Sequence, residues 1–126
     1  MGGTVPYLTV DDGRAALAFY AAAFGATVGE RYDEEDGRIG FAALDIEGAP
    51  VFVSDEAHDY GAYAPRTLDG HGTAAVVLAV ADCDATYAQA LAAGATQDRP
   101  PAPLPDGGRG GWLVDPFGHR WLVRSS

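Results

Sequence analysis

Apolar and polar positions along the chain fall into one pattern that occurs twice. In the first half, residues 4–10 are rich in β-formers and predict a strand. Asp12 follows, then a stretch over residues 13–24 in which Ala16, Phe19, Tyr20 and Ala23 recur at helical spacing. Asp12 suits an N-cap and Gly25 a helix stop. Residues 27–32, 38–46 and 49–54 read as three strands, joined by turns at 33–37 and at Glu47-Gly48. The second half repeats the order. A strand over 74–80 leads to the cap Asp82, a helix over 83–93 and the stop Gly94. A strand near 95–99 enters a proline-rich loop, Pro100–Pro105. Two more strands, 110–114 and 119–124, close around Asp115-Pro116-Phe117-Gly118. Thr4 to Thr27 and Thr73 to Thr96 are both 23 residues apart, which makes the halves structural copies.

Each copy is therefore β-α-β-β-β, over residues 4–54 and 73–124, within one domain of residues 1–126. The predicted fold class is α+β: two tandem βαβββ modules with curved mixed sheets enclosing a crevice. One short helix covers only one face of a four-stranded sheet, so the other face must meet a ligand or a partner. The connector over residues 55–72 is long, and long connections are often functional. Tyr60, Tyr63 and Pro65 within it are candidates for a lid; the alternative is a surface crossing that covers core edges.

Composition narrows the function. The 126 residues hold 48% hydrophobic residues, suited to one soluble domain, with no apolar run of membrane-spanning length. Eighteen acids against eight bases give a net charge of −10, which argues against nucleic-acid binding. It is compatible with a cationic ligand. All eight bases are arginine, and lysine and asparagine are absent, a bias that suggests a high-GC bacterial genome. A single cysteine, Cys83, and a start without the layout of a secretory signal lead to a cytoplasmic expectation.

Three segments carry a family resemblance: PYLTVDDGRAALAFYAAAFGA at 6–26, VADCDATYAQALAAGAT at 80–96 and DPFGHRWLV at 115–123. Together they resemble the vicinal oxygen chelate superfamily, which includes glyoxalase I, extradiol dioxygenases, and fosfomycin- and bleomycin-resistance proteins. The first and third look most like its PhnB-like branch. The resemblance implies a homodimer. It also implies four metal-ligand positions in metal-dependent members, on the first and last strands of each half. Here those positions hold Val5, Phe52, Ala75 and Leu122. None offers the nitrogen, oxygen or thiolate donor that a divalent metal needs, so no metal and no cofactor is expected.

The remaining chemistry-bearing residues divide into architecture and pocket. Both turns, Asp45–Gly48 and Asp115–Gly118, are assigned to architecture. His119 is expected to hydrogen-bond near the final hairpin. His58, beside Asp55, Glu56 and Asp59, lies in a solvated acidic loop, and Cys83 is a small residue without redox role. If Asp115 pairs with His119 in the hairpin, Val114 opposes Arg120 and Trp112 opposes Leu122, and opposed residues share a face. Trp112, Val114, Arg120 and Leu122 then face the crevice, while Trp121 and Val123 face the core. Tyr7, Phe41, Phe52 and Tyr63 are further aromatic candidates for the ligand surface.

The expected function is a metal-free small-molecule-binding protein, resembling the bleomycin-resistance-type proteins that sequester a drug unchanged. Its partner would be a small aromatic or cationic molecule, with no nucleic acid and no membrane. Two alternatives stay open: a glyoxalase-like metal-dependent lyase, isomerase or dioxygenase, and a metal-independent lyase or isomerase.

Overall fold

The structure, a computed structural model, describes residues 3–126. The first module comprises β1 (Tyr7–Val10), α1 (Gly13–Phe24), β2 (Thr27–Asp33), β3 (Ile39–Ile46) and β4 (Ala49–Asp55). The second comprises β5 (Ala75–Ala79), α2 (Cys83–Ala93), β6 (Thr96–Pro103), β7 (Arg109–Val114) and β8 (Arg120–Ser125). The sheets are ordered β1-β4-β3-β2 and β5-β8-β7-β6. In each, the first strand pairs in parallel with the last and the other pairings are antiparallel, so both sheets are mixed and open. The helices start where the caps place them: Asp12 accepts from the Ala15 N–H and Asp82 from the Ala85 N–H, both at 3.1 Å. Gly25 takes the left-handed conformation that stops α1.

Two strands depart from their expected limits. β1 begins at Tyr7 rather than Thr4. Proline lacks the N–H that a ladder needs, although the Pro6 carbonyl still accepts from the Phe52 N–H at 2.9 Å. β6 runs through the prolines to Pro103 instead of yielding to a loop at Pro100. It is the outer strand of its sheet, so one side of its backbone has no partner to satisfy. Register shifts between Gln97 and Arg99, and again before Ala102, absorb the residues that cannot pair.

Both helices lie on one side and share a core. Alternation places Leu8, Val10, Ala42, Leu44, Val51 and Val53 of the first sheet, and Leu113, Trp121 and Val123 of the second, in that core. α1 packs along α2, and the Gln89 side-chain amide donates to the Ala22 carbonyl at 2.9 Å. Phe24 lies 4.8 Å from Trp121 between ring centroids, so a helix of one module packs on a strand of the other.

A buried carboxylate adds a polar tie between the modules. Asp115 is only 3% exposed. It accepts the Tyr20 hydroxyl at 2.5 Å and the Trp121 indole N–H at 2.9 Å on one oxygen. The other oxygen accepts the Phe117 and His119 N–H groups at 2.9 and 3.0 Å. A buried charge is tolerated when its lone pairs are filled in this way. Burial, and then the neighbouring Asp115 charge, push the Tyr20 hydroxyl well above its ordinary pKa, so it stays a donor. His119 adds a second tie, donating from Nε2 to the Thr9 carbonyl at 2.8 Å, the structural role expected of it.

The connector contains two short 3₁₀ turns, His58–Tyr60 and Pro65–Leu68. Glu56 holds it in place by accepting from the Ala64 N–H at 2.9 Å, the Thr67 hydroxyl at 2.8 Å and the His58 ring at 2.9 Å. Partial burial pushes the Glu56 pKa up. Hydrogen bonds from Ala64, His58 and Thr67 outweigh that and hold it below the usual glutamate range. Pro65 is buried against the Gly118 turn, where a Cβ would come within 2.8 Å of it.

Tyr20→Phe keeps the ring but leaves the Asp115 carboxylate one donor short, and should cost about 1–3 kcal/mol in urea denaturation. A loss under about 0.5 kcal/mol would mean that the hydroxyl adds little beyond its ring. For Glu56, a pKa lowered by folding contributes stability that is complete above the unfolded value and is lost as pH falls through the folded one. Glu56→Gln should therefore destabilise the protein at pH 7. The gap to wild type should close on acidification below the ordinary glutamate value, about 4.3; a gap constant with pH would sink this account.

Candidate functional site

The face of each sheet turned away from the helices is apolar and open. On the first, Tyr7, Phe41 and Phe52 form an aromatic surface, with ring centroids 6.2, 6.0 and 4.9 Å apart. Tyr7 is opposite Phe52 in the parallel β1–β4 register, and Phe41 lies two residues before Ala43, the partner of Phe52, and so on the same face. Tyr32, across from Phe41 on β2, extends the set. The sequence reading missed it because a bulge near Gly40 breaks simple alternation there.

On the second sheet the hairpin pairs as expected. Trp112 opposes Leu122, Val114 opposes Arg120, and the Asp115 N–H donates to the His119 carbonyl at 2.8 Å. The Arg120 guanidinium carbon lies 4.6 Å from the Trp112 ring centroid. Arg99, directly across from Trp112 on β6, lies 5.3 Å from the same centroid. Arg99 was not among the candidates, because the strand carrying it was expected to end there. Pairing the prolines onto β7 from the Leu104–Gly108 turn was the available signal. Gly110 leaves room for Leu104 and Leu122 to meet: a Cβ there would lie 3.0 Å from one and 3.2 Å from the other.

The two surfaces meet at the sheet edges. Tyr7 and Thr9 of β1, and Ala75 and Val77 of β5, line a groove of about 490 Å³ together with Tyr63, His71, His119 and Arg120. The volume is in the range of small-molecule sites. No carboxylate lines it, although the chain carries 18. Tyr63 reaches it from the connector while stacking on His58, at 4.6 Å between centroids and 27° between planes. Tyr60, the other candidate lid residue, points into solvent at 91% exposure, and Pro65 lines the groove floor near the Gly118 turn. The expected ligand residues thus form two groups, Tyr7–Phe41–Phe52 and Trp112–Val114–Arg120–Leu122. Tyr7, Tyr63 and Arg120 meet at the groove between them.

The four positions where the resemblance implies metal ligands, Val5, Phe52, Ala75 and Leu122, hold side chains that do not fit one. Val77 opposes Leu122 as Tyr7 opposes Phe52, so Phe52 and Leu122 occupy equivalent places in the two modules. Ala75 opposes Arg120, and Val5 lies just before β1. Valine, phenylalanine, alanine and leucine supply no donor, whether the halves of a site come from one chain or from two. Among the described residues, no three or more His, Cys, Asp or Glu side chains gather as a metal site. Glu56 of the acidic loop is occupied by the connector bonds described above. Cys83 is buried with its thiol donating to the Val123 carbonyl at 3.2 Å; burial, with Asp84 nearby, pushes its pKa up, which suits the inert role expected.

Comparison with known proteins agrees with this architecture. Residues 4–123 match the sequence profile of the Glyoxalase/Bleomycin resistance protein/Dioxygenase superfamily. An uncharacterized protein of Mycobacterium tuberculosis is 37% identical over 120 residues, covering 94% of this chain and 71% of its own. Among solved structures, TioX from Micromonospora sp. ML1 superposes with a TM-score of 0.76 at 27% identity, over 99% of this chain and 96% of its own. A glyoxalase-related enzyme from Fulvimarina pelagi superposes with a TM-score of 0.77 at 22% identity, over 100% and 88%, a likeness of fold alone. With two βαβββ modules, paired mixed sheets and a profile match over nearly its full length, this chain belongs to the Glyoxalase/Bleomycin resistance protein/Dioxygenase superfamily.

Proposed function

We propose that the protein binds a flat, largely apolar small molecule on the inner faces of its sheets, without a metal, and releases it unchanged. The observation that carries this reading is that Val5, Phe52, Ala75 and Leu122, where the resemblance implies metal ligands, offer no donor, on faces that carry aromatic surfaces. Those four side chains cannot hold a metal that would activate a water, whereas the rings beside them suit dispersion and stacking with a ring system. No carboxylate faces the groove, and of its two histidines His119 is tied through Nε2 to the Thr9 carbonyl, so no carboxylate–histidine pair stands there for general acid–base chemistry. The reading parallels drug sequestration of the bleomycin-resistance type.

A homodimer is part of the same reading. Tyr7 is 52% and Val77 59% exposed on the inner faces, leaving apolar surface that a second copy would cover. Such a dimer would carry its ligand sites in symmetric pairs.

The test is titration of the purified protein with bleomycin and a panel of polycyclic aromatics, followed by intrinsic fluorescence and calorimetry. The expected result is stoichiometric binding that EDTA does not change, with the ligand recovered intact. Trp112→Ala should weaken it about tenfold or more, the usual loss for an aromatic anchor. Turnover of the ligand that chelation abolishes would overturn the reading. Sedimentation should show a dimer, and Val77→Glu should shift it toward monomer; a monomeric wild type at high concentration would remove the dimer from the account.

A further inference from the structure

The arginines of this chain are not distributed evenly between paired and unpaired states. Of eight, Arg14, Arg31, Arg38, Arg66, Arg109 and Arg124 each form an ion pair with an aspartate. Among the described residues, only Arg99 and Arg120 have neither an ion pair nor a side-chain hydrogen bond. Both lie over one ring, Trp112, at 5.3 and 4.6 Å. In a chain of net charge −10, acids are plentiful, yet none answers these two cations. The groove that Arg120 enters holds His71 and His119 as well and no carboxylate.

Stacking a guanidinium on an indole uses its flat face and leaves its rim of N–H donors free. Those donors match the two oxygens of a carboxylate in plane. Two like charges held at one ring repel each other, and an anion placed within reach of both relieves that repulsion. Ligand recognition at such a place would combine a ring on the apolar face with an oxyanion at its arginine edge.

We propose that the Trp112 surface is an anion-selective aromatic site, in which Arg99 and Arg120 grip the carboxylate of a planar aromatic acid whose ring lies on the inner face. The assignment rests on the inner faces being the ligand surface, and it replaces the cationic ligand suggested by the net charge. Much of the chain's acidity is committed elsewhere: Asp12 and Asp82 cap the helices, Asp115 is buried, and Asp11, Asp33, Asp36, Asp84 and Asp106 pair with the other arginines.

The test uses three probes of one shape and different charge: 2-naphthoate, 2-naphthamide and 2-naphthylmethylammonium. Binding to the full chain is read by calorimetry and by the shift of the Trp112 indole N–H, assigned through its loss in Trp112→Phe. The expected order is acid, then amide, then ammonium, with the acid favoured about tenfold or more over the amide at low salt. Raising the salt from about 20 to about 300 mM should narrow that preference, because the arginines are exposed. Arg99→Gln and Arg120→Gln should each weaken naphthoate about tenfold and bring the acid-to-amide ratio toward one, with thermal unfolding confirming that both variants are folded. Equal affinity for all three probes, or an ammonium preference, overturns the anion assignment while leaving the binding-protein reading intact. Absence of binding by every probe, with the Trp112 signal unmoved, removes this face as a ligand surface and the anion assignment with it.

Discussion

The Asp115 carboxylate is the interaction on which the arrangement of the two modules depends. Each βαβββ unit can close its own sheet on its own helix, but nothing local to a module fixes how the two units meet. Asp115 does so because its four donors come from three places: the final turn, β8 and α1 of the other module. A charged group removed from water accepts no vacancy among its partners, so the four contacts are required together. Next to it, His119 reaches the β1 backbone and Pro65 packs on Gly118. Together with α1 packed along α2 and Phe24 on Trp121, these contacts set the inner edges β1 and β5 beside each other, and the groove lies between them.

The related turn in the first module shows how much depends on surroundings. Asp45 also accepts an N–H from its turn glycine, Gly48, at 3.0 Å. It is exposed, and no tyrosine or tryptophan reaches it, so it terminates a hairpin and nothing more. The two copies share the turn chemistry; only the second is buried against a neighbour, and burial turns a local hydrogen bond into a long-range constraint.

A similar divergence shapes the inner faces. Equivalent positions hold Tyr7 and Val77, Phe52 and Leu122, so the first sheet is aromatic where the second is aliphatic. The second regains an aromatic surface through Trp112 and adds two guanidinium groups to it. A pocket built from both is asymmetric: one wall offers rings alone, the other a ring with cationic edges.

The sequence by itself determined the local elements and the faces. Caps at Asp12 and Asp82, glycine stops and period-two alternation depend on neighbours a few residues away, and these are written in the chain. The hairpin around Asp115 was legible for the same reason, and with it the partition of Trp112, Arg120 and Leu122 from Trp121 and Val123. The apolar identity of Val5, Phe52, Ala75 and Leu122 was also legible, since no fold can give a leucine a donor. Only the tertiary structure decided that Tyr20 would meet Asp115, that β6 would continue through its prolines and bring Arg99 over Trp112, and that Tyr32 would join the aromatic surface. Each of these depends on an edge, a bulge or a contact between modules up to 95 residues apart in sequence. Such contacts follow from where chain segments pack, and residue type and spacing do not encode that packing locally.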